Sequence, residues 1–169
     1  MFSSLLSRSR QFFQAFTRNQ NDQDEEFIDT YLTFPAKQLF LRQSAYDQYH
    51  AMHQARLLFE RTVSPDPILV EALFLHDVGK SLASITLAHR VAHVLFSKKP
   101  AWYDAFLHMY GHHHVIKPLY TLRHHATLGA DLVRRIGLPE RVAYLIEHHH
   151  DPMTQDKELQ LLQQIDASL

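Results

Sequence analysis

From Ile68 to Leu75 the chain reads Ile-Leu-Val-Glu-Ala-Leu-Phe-Leu, almost wholly apolar, and it closes on His76-Asp77 just before Gly79. Ser64-Pro65-Asp66-Pro67 precedes it and supplies a capping side chain and a proline for the first helical position. The spacing predicts a short helix over about 68–76, the most deeply buried segment of the chain. Everything else has to pack around it. With only four glycines among 169 residues and no strand-like alternation between them, the surrounding elements are expected to be helices as well.

Periodicity and punctuation place those helices at about Pro35 to Leu41, Ser44 to Arg61, Leu82 to Phe96, Pro100 to Met109, Leu122 to Ile136, Pro139 to His149, and Lys157 to the end. Gly111 to Pro118 reads as a histidine-rich connection. No repeat or linker divides the chain, and a hydrophobic content of 46% suffices for one core. The expected organisation is an N-terminal helix and an acidic break (Asn21 to Glu26) over 1–33, followed by one compact all-α bundle over 34–169.

Cysteine is absent, so neither disulfides nor thiolate zinc sites can hold the fold, and a cytoplasmic setting is expected. Any transition metal has to be bound by imidazole and carboxylate. A formal charge of -1 provides no basic field for nucleic acid or anionic membrane, and no nucleic-acid partner is expected. No apolar run approaches the roughly 20 residues that span a bilayer, so no stable membrane insertion is expected either. Residues 1–21 carry Arg8, Arg10 and Arg18 among Leu5, Leu6, Phe12, Phe13 and Phe16. That pattern suits a frayed amphipathic first helix, a transit peptide or a membrane-surface helix.

Fourteen histidines are more than packing requires, and several fall on apolar stripes at helical spacing. His76 continues Ile68, Leu69, Ala72 and Leu73. His149 completes Val142, Leu145 and Ile146, and His125 leads into Leu128, Leu132 and Ile136. Asp166 lies on the line Leu159, Leu162, Leu169, where a carboxylate is costly to bury unless it is paired, hydrogen-bonded or metal-bound. A lone histidine of this kind is usually satisfied by a backbone carbonyl. Four inward-facing ligand types on four helices point instead to a metal site assembled inside a helical bundle. On the second long helix, Tyr46, His50, His53 and Leu57 share a face, and periodicity leaves His50 and His53 equivalent.

The segment from Glu71 to Lys80, an apolar helix ending in His-Asp-x-Gly-Lys, resembles the central motif of the HD-domain superfamily. Tyr46 to Ala51 resembles its first-histidine helix, which selects His50. His125-Ala126-Thr127-Leu128-Gly129-Ala130 resembles the family's His-x-x-x-Gly-Ala helix start. Gly137 to Ala143, followed by the His148 to His150 run, resembles its Gly-x-Pro-x-x-Val-Ala and His-His segment. Leu161 to Ala167 is similar to the last helix, which carries the closing aspartate. Together these cover about residues 35–169. The resemblance implies an HD-domain bundle with six metal ligands, His50, His76, Asp77, His125, His149 and Asp166, in the order of the superfamily's dinuclear subset, with Asp77 bridging two divalent ions (Mn, Fe, Mg, Co or Zn). The triple histidine leaves the register open among His148, His149 and His150. No Asp-Gly-x-Gly-Tyr-Pro segment follows Asp151-Pro152, so a cyclic-di-GMP phosphodiesterase of the HD-GYP type is not implied.

A two-metal site can generate hydroxide at neutral pH and neutralise phosphoryl oxygens. The expected activity is therefore hydrolysis of a small-molecule phosphomonoester or phosphodiester, nucleotide-like by default, with catalytic roles for Asp77, Lys80 and His124. Lys80 would hold phosphate as a point charge, or else simply complement the helix dipole. His124 and the cluster His112 to His114 would donate protons if they face the site, and otherwise belong to solvated surface. His89 and His93, four apart on one helix face, read as ligand-supporting residues or boundary residues. Trp102, Tyr103, Phe106 and Tyr110 read as core packing, a substrate entrance or a homo-oligomer contact. The same ligand set would serve a di-iron oxygenase of the superfamily, and a non-catalytic nucleotide-binding regulatory module is the third reading.

Overall fold

A computed structural model describes residues 22–152 and 154–168. The N-terminal amphipathic helix expected within residues 1–21 lies outside the described residues, as does Leu169. Among the described residues the chain forms nine α-helices and one 3-10 helix, without strands. They are α1 (Asp22–Tyr31), α2 (Phe34–Phe40), α3 (Ala45–Arg61), α4 (Pro67–Leu75), the 3-10 helix (Val78–Leu82), α5 (Leu87–Phe96), α6 (Pro100–Tyr110), α7 (Lys117–Arg135), α8 (Glu140–His148) and α9 (Lys157–Asp166).

Helix α4 is the axis of the bundle. The Asp66 carboxylate accepts from the Ile68 amide at 2.8 Å and Pro67 opens the first turn, as its sequence demands. Every residue from Leu69 to Leu75 is buried, and α1, α2, α3, α8 and α9 all pack against it. Its single charged residue, Glu71, is buried beside the Thr33 hydroxyl at 3.4 Å, and burial raises its carboxyl pKa. After His76 and Asp77 the chain tightens into the 3-10 helix, which lies against α7. There Gly79 is indispensable: a β-carbon at this position would fall 2.0 Å from the His125 carbonyl oxygen and 2.8 Å from the Gly129 amide nitrogen.

Three boundaries differ from the sequence reading. The stretch Asn21 to Glu26, read as a break, belongs from Asp22 onward to α1. Its apolar face carries Ile28, which is fully buried, and Phe27, whose ring meets Phe59 at 5.5 Å and Phe74 at 5.9 Å. Two of its acids have basic partners on other helices, Asp24 pairing with Arg56 and Asp29 with Lys37. The helix expected from Leu82 begins at Leu87, because Thr86 takes the capping position: its hydroxyl accepts from the His89 amide while His89 Nδ1 accepts from the Thr86 amide at 3.1 Å. Helix α7 starts at Lys117, well before Leu122, since Pro118 is tolerated in a first turn.

The core expected to be single has a satellite. The main cluster surrounds α4, while Tyr103, Leu107 and Leu119 form a separate buried cluster beneath α5, α6 and the start of α7. The Tyr103 hydroxyl donates to the Leu119 carbonyl at 3.2 Å and sits 3.1 Å from His93 Nδ1.

Candidate metal centre

Five elements converge on one end of α4. His50 comes from the middle of α3, His76 and Asp77 from the end of α4, His125 from α7, His149 from the end of α8, and Asp166 from the last residue of α9. His50 Nε2 lies 3.3 Å from Asp166 Oδ1, and His76 Nε2 lies 3.5 Å from that oxygen and 3.6 Å from Asp77 Oδ2. On the other side, His125 Nε2 lies 3.2 Å from Asp77 Oδ1. The Asp77 carboxylate thus turns one oxygen towards His76 and the other towards His125. Two groups that could hold a metal ion result, His50 with His76 and Asp77, and His125 with His149 and His150, the nitrogen and oxygen atoms of each lying within 4.8 Å of one another.

The imidazoles are oriented by the helices that carry them. Nδ1 of His76, His125 and His149 lies 2.8, 2.8 and 2.6 Å from the carbonyl oxygens of Leu73, Leu122 and Ile146, each three residues earlier. A carbonyl can only accept, so Nδ1 carries the proton and the Nε2 lone pair points into the cluster, the arrangement typical of metal-bound histidine. His76 Nε2 and His149 Nε2 are buried with no hydrogen-bond partner, a state that proteins rarely leave uncompensated.

Electrostatics make the same demand for positive charge. Burial would raise the Asp77 pKa, but Lys80, His76 and His125 hold it well below the usual range. Asp166 is likewise held far below its ordinary value, against burial, by the neighbouring imidazoles of His50 and His76. The His76 pKa is raised because Asp77 and Asp166 outweigh its burial. Burial and the neighbouring His76, His150 and His125 push His149 well below its ordinary value. A proton therefore does not satisfy His149, whose charging is opposed by burial and by the neighbouring imidazoles. Divalent cations would meet all the inward lone pairs and both carboxylates at once, and the donor set of imidazole and carboxylate suits borderline and hard ions.

The structure separates residues that the sequence left together. His53 is exposed and stacked on Tyr49, one face away from His50. His148 turns outward to Asp151, 2.6 Å from its Oδ2, whereas His149 is buried. His150 also reaches the cluster, its Nε2 3.1 Å from His125 Nε2. His124 joins neither ligand set: one residue before His125 it is rotated by roughly 100° about the helix axis, and its ring packs on Tyr120. His112, His113 and His114 are exposed. His89 is used as a cap, and His93 bonds Tyr103. Of the aromatic segment, Tyr103 is core while Trp102 and Tyr110 remain exposed.

Gln54 was not anticipated. Fully buried one turn after His50, its Nε2 lies 2.6 Å from Asp166 Oδ1 and 2.9 Å from His50 Nε2, tying the two residues together. Its i+4 spacing from His50 was the available signal. Lys80 places its ammonium 2.5 Å from Asp77 Oδ2, at the partly exposed edge of the cluster.

With this geometry established, the HD domain family model matches residues 48–168, and the chain belongs to the HD-domain family. HD domains are commonly metal-dependent hydrolases that bind divalent ions. Comparison with curated proteins and with solved structures gives no match.

Proposed function

We propose that this protein is a metal-dependent phosphohydrolase that cleaves a phosphomonoester or phosphodiester of nucleotide-like type at a dinuclear centre. His50, His76, Asp77, His125, His149 and Asp166 would hold two divalent ions, with Asp77 between them. The observation that carries this reading is the pair of buried, partnerless Nε2 atoms of His76 and His149 facing a cluster in which Asp77 offers one oxygen to each set of imidazoles. Divalent ions in such a site lower the pKa of water and neutralise the charge of phosphoryl oxygens.

The residues of the chain supply the rest. The carbonyls of Leu73, Leu122 and Ile146 fix three imidazoles in the ligating tautomer, and Gln54 fixes Asp166 relative to His50. Lys80, standing beside Asp77 at the open edge, would attract and orient a phosphate as a point charge. His124, whose ring packs on Tyr120 and which joins neither group of clustered residues, is assigned no step in this reading.

Elemental analysis of tag-free protein, with Asp77→Ala alongside and hydrolysis of generic phosphoesters as the second readout, tests the proposal. About two metals per chain, lost together with hydrolysis in the variant, is the expected result. Two irons without phosphoesterase activity would indicate the oxygenase chemistry instead, and a protein without specific metal would overturn the reading.

A further inference from the structure

Beside Lys80 the surface opens into a cleft of about 330 Å³ walled by Arg42, Lys80 and Arg90, with Ser81, Ser84 and the single carboxylate Asp47. Asp47 is buried, and Arg90 Nη2 bonds both of its oxygens at 3.1 Å while the Ser44 hydroxyl donates to Oδ2 at 2.5 Å. Arg90 also stacks on Tyr46 at 4.6 Å. Its guanidinium is thereby clamped in place, with its charge matched by Asp47. Arg42 is different: exposed, in the turn between α2 and α3, it has no carboxylate partner among the described residues. No ion pair joins Arg42 or Arg90 to the six clustered residues, whereas Lys80 is bound to Asp77. Lys80 is therefore the hinge between the candidate metal centre and a cationic cleft that the centre itself does not use.

An anion is the natural occupant. Arg90 is paired with Asp47 and Lys80 with Asp77, which leaves Arg42 as the unmatched charge of the cleft, and together with the serine hydroxyls these side chains offer several donors to the oxygens of a phosphate. A second cleft of about 450 Å³ shares Ala83 and Ser84 with the first and adds the apolar walls Leu82, Val115 and Pro118, room for an organic moiety. Building on the phosphohydrolase reading, we propose that the Arg42–Lys80–Arg90 cleft binds a second phosphoryl group of the substrate, so that the preferred substrates carry at least two phosphates and Arg42 determines that preference.

The test uses metal-loaded full-length protein and two probes, orthophosphate and pyrophosphate, titrated calorimetrically into wild type, Arg42→Ala and the control Lys98→Ala, an exposed lysine away from the cleft. The Arg42 side chain has no ion pair to lose among the described residues, so equal melting temperatures will show that the variant is folded. Wild type and the control are expected to prefer pyrophosphate by about tenfold or more, the worth of one or two charge-assisted hydrogen bonds. Arg42→Ala should lose most of that preference while keeping its affinity for orthophosphate. An unchanged preference in Arg42→Ala, or none in wild type, would overturn the subsite even if phosphoesters are hydrolysed. A preference that depends on Arg42 in a protein unable to hydrolyse any phosphoester would retain the subsite and remove the hydrolase reading.

Discussion

His148 and His149 are separated by a single peptide unit, and the end of α8 sends one to solvent beside Asp151 and the other into the cluster beside His76 and His125. Substitution by glutamine should therefore separate them. His149→Gln is expected to reduce metal affinity by at least the roughly 10- to 100-fold typical of losing a supporting hydrogen-bond partner, and His148→Gln to leave it unchanged, as competition with a chromogenic chelator will show. His93, which is not one of the six clustered residues, provides a pH prediction. Burial, helped by His125, Arg123 and Lys80, lowers its pKa from 6.5 to about 4 beside the Tyr103 hydroxyl. The folded state therefore binds fewer protons than the unfolded chain between those values, and stability rises with pH there. The contribution is fully present above pH 6.5 and is lost as pH falls towards about 4. Melting curves of His93→Gln across this window should show a shallower pH dependence than wild type.

At the scale of elements, the contact between the 3-10 helix and α7 sets the position of His125 relative to Asp77. The two backbones approach so closely at Gly79 that an added methyl group would collide with the His125 carbonyl and the Gly129 amide. Backbone atoms cannot swing aside as a flexible side chain would. Gly79→Ala is expected to destabilise the fold by about 1–3 kcal/mol, measured by urea unfolding, and to weaken metal binding as α7 is displaced. Gly129→Ala meets its nearest neighbours at 3.2 Å, two of the three being side-chain carbons, and should cost less. At Gly137 the reason for glycine is conformational: φ is +78°, and the Leu138 amide closes the end of α7 on the Val133 carbonyl at 3.1 Å.

For the molecule as a whole, the cluster is where the bundle is tied together, because its six residues come from α3, α4, α7, α8 and α9. A ligand that binds only the folded state stabilises it by mass action, about 2.7 kcal/mol at a hundredfold excess over Kd. Chelation should therefore lower the melting temperature of wild type and leave that of Asp77→Ala almost unchanged. No helix among the described residues is long and apolar enough to cross a membrane.

How much of this was legible in the sequence follows from the range of the interactions involved. Local signals carried the helices: Asp66-Pro67 opening α4, Gly137 closing α7, and the apolar stripes that put His76, His125 and His149 on inward faces. Those are contacts within a turn or two, and residue order encodes them directly. Motif resemblance added His50 over His53. Helix α1 is not legible locally because two of its acids, Asp24 and Asp29, pair with Arg56 and Lys37 on other helices. Only the tertiary structure decided that His148 faces out while His150 reaches the cluster, that Gln54 ties His50 to Asp166, and that Arg42, Lys80 and Arg90 line one cleft. Such juxtapositions depend on how helices distant in the chain rotate and dock, and that geometry is set by packing summed over the whole core rather than by any local run of residues.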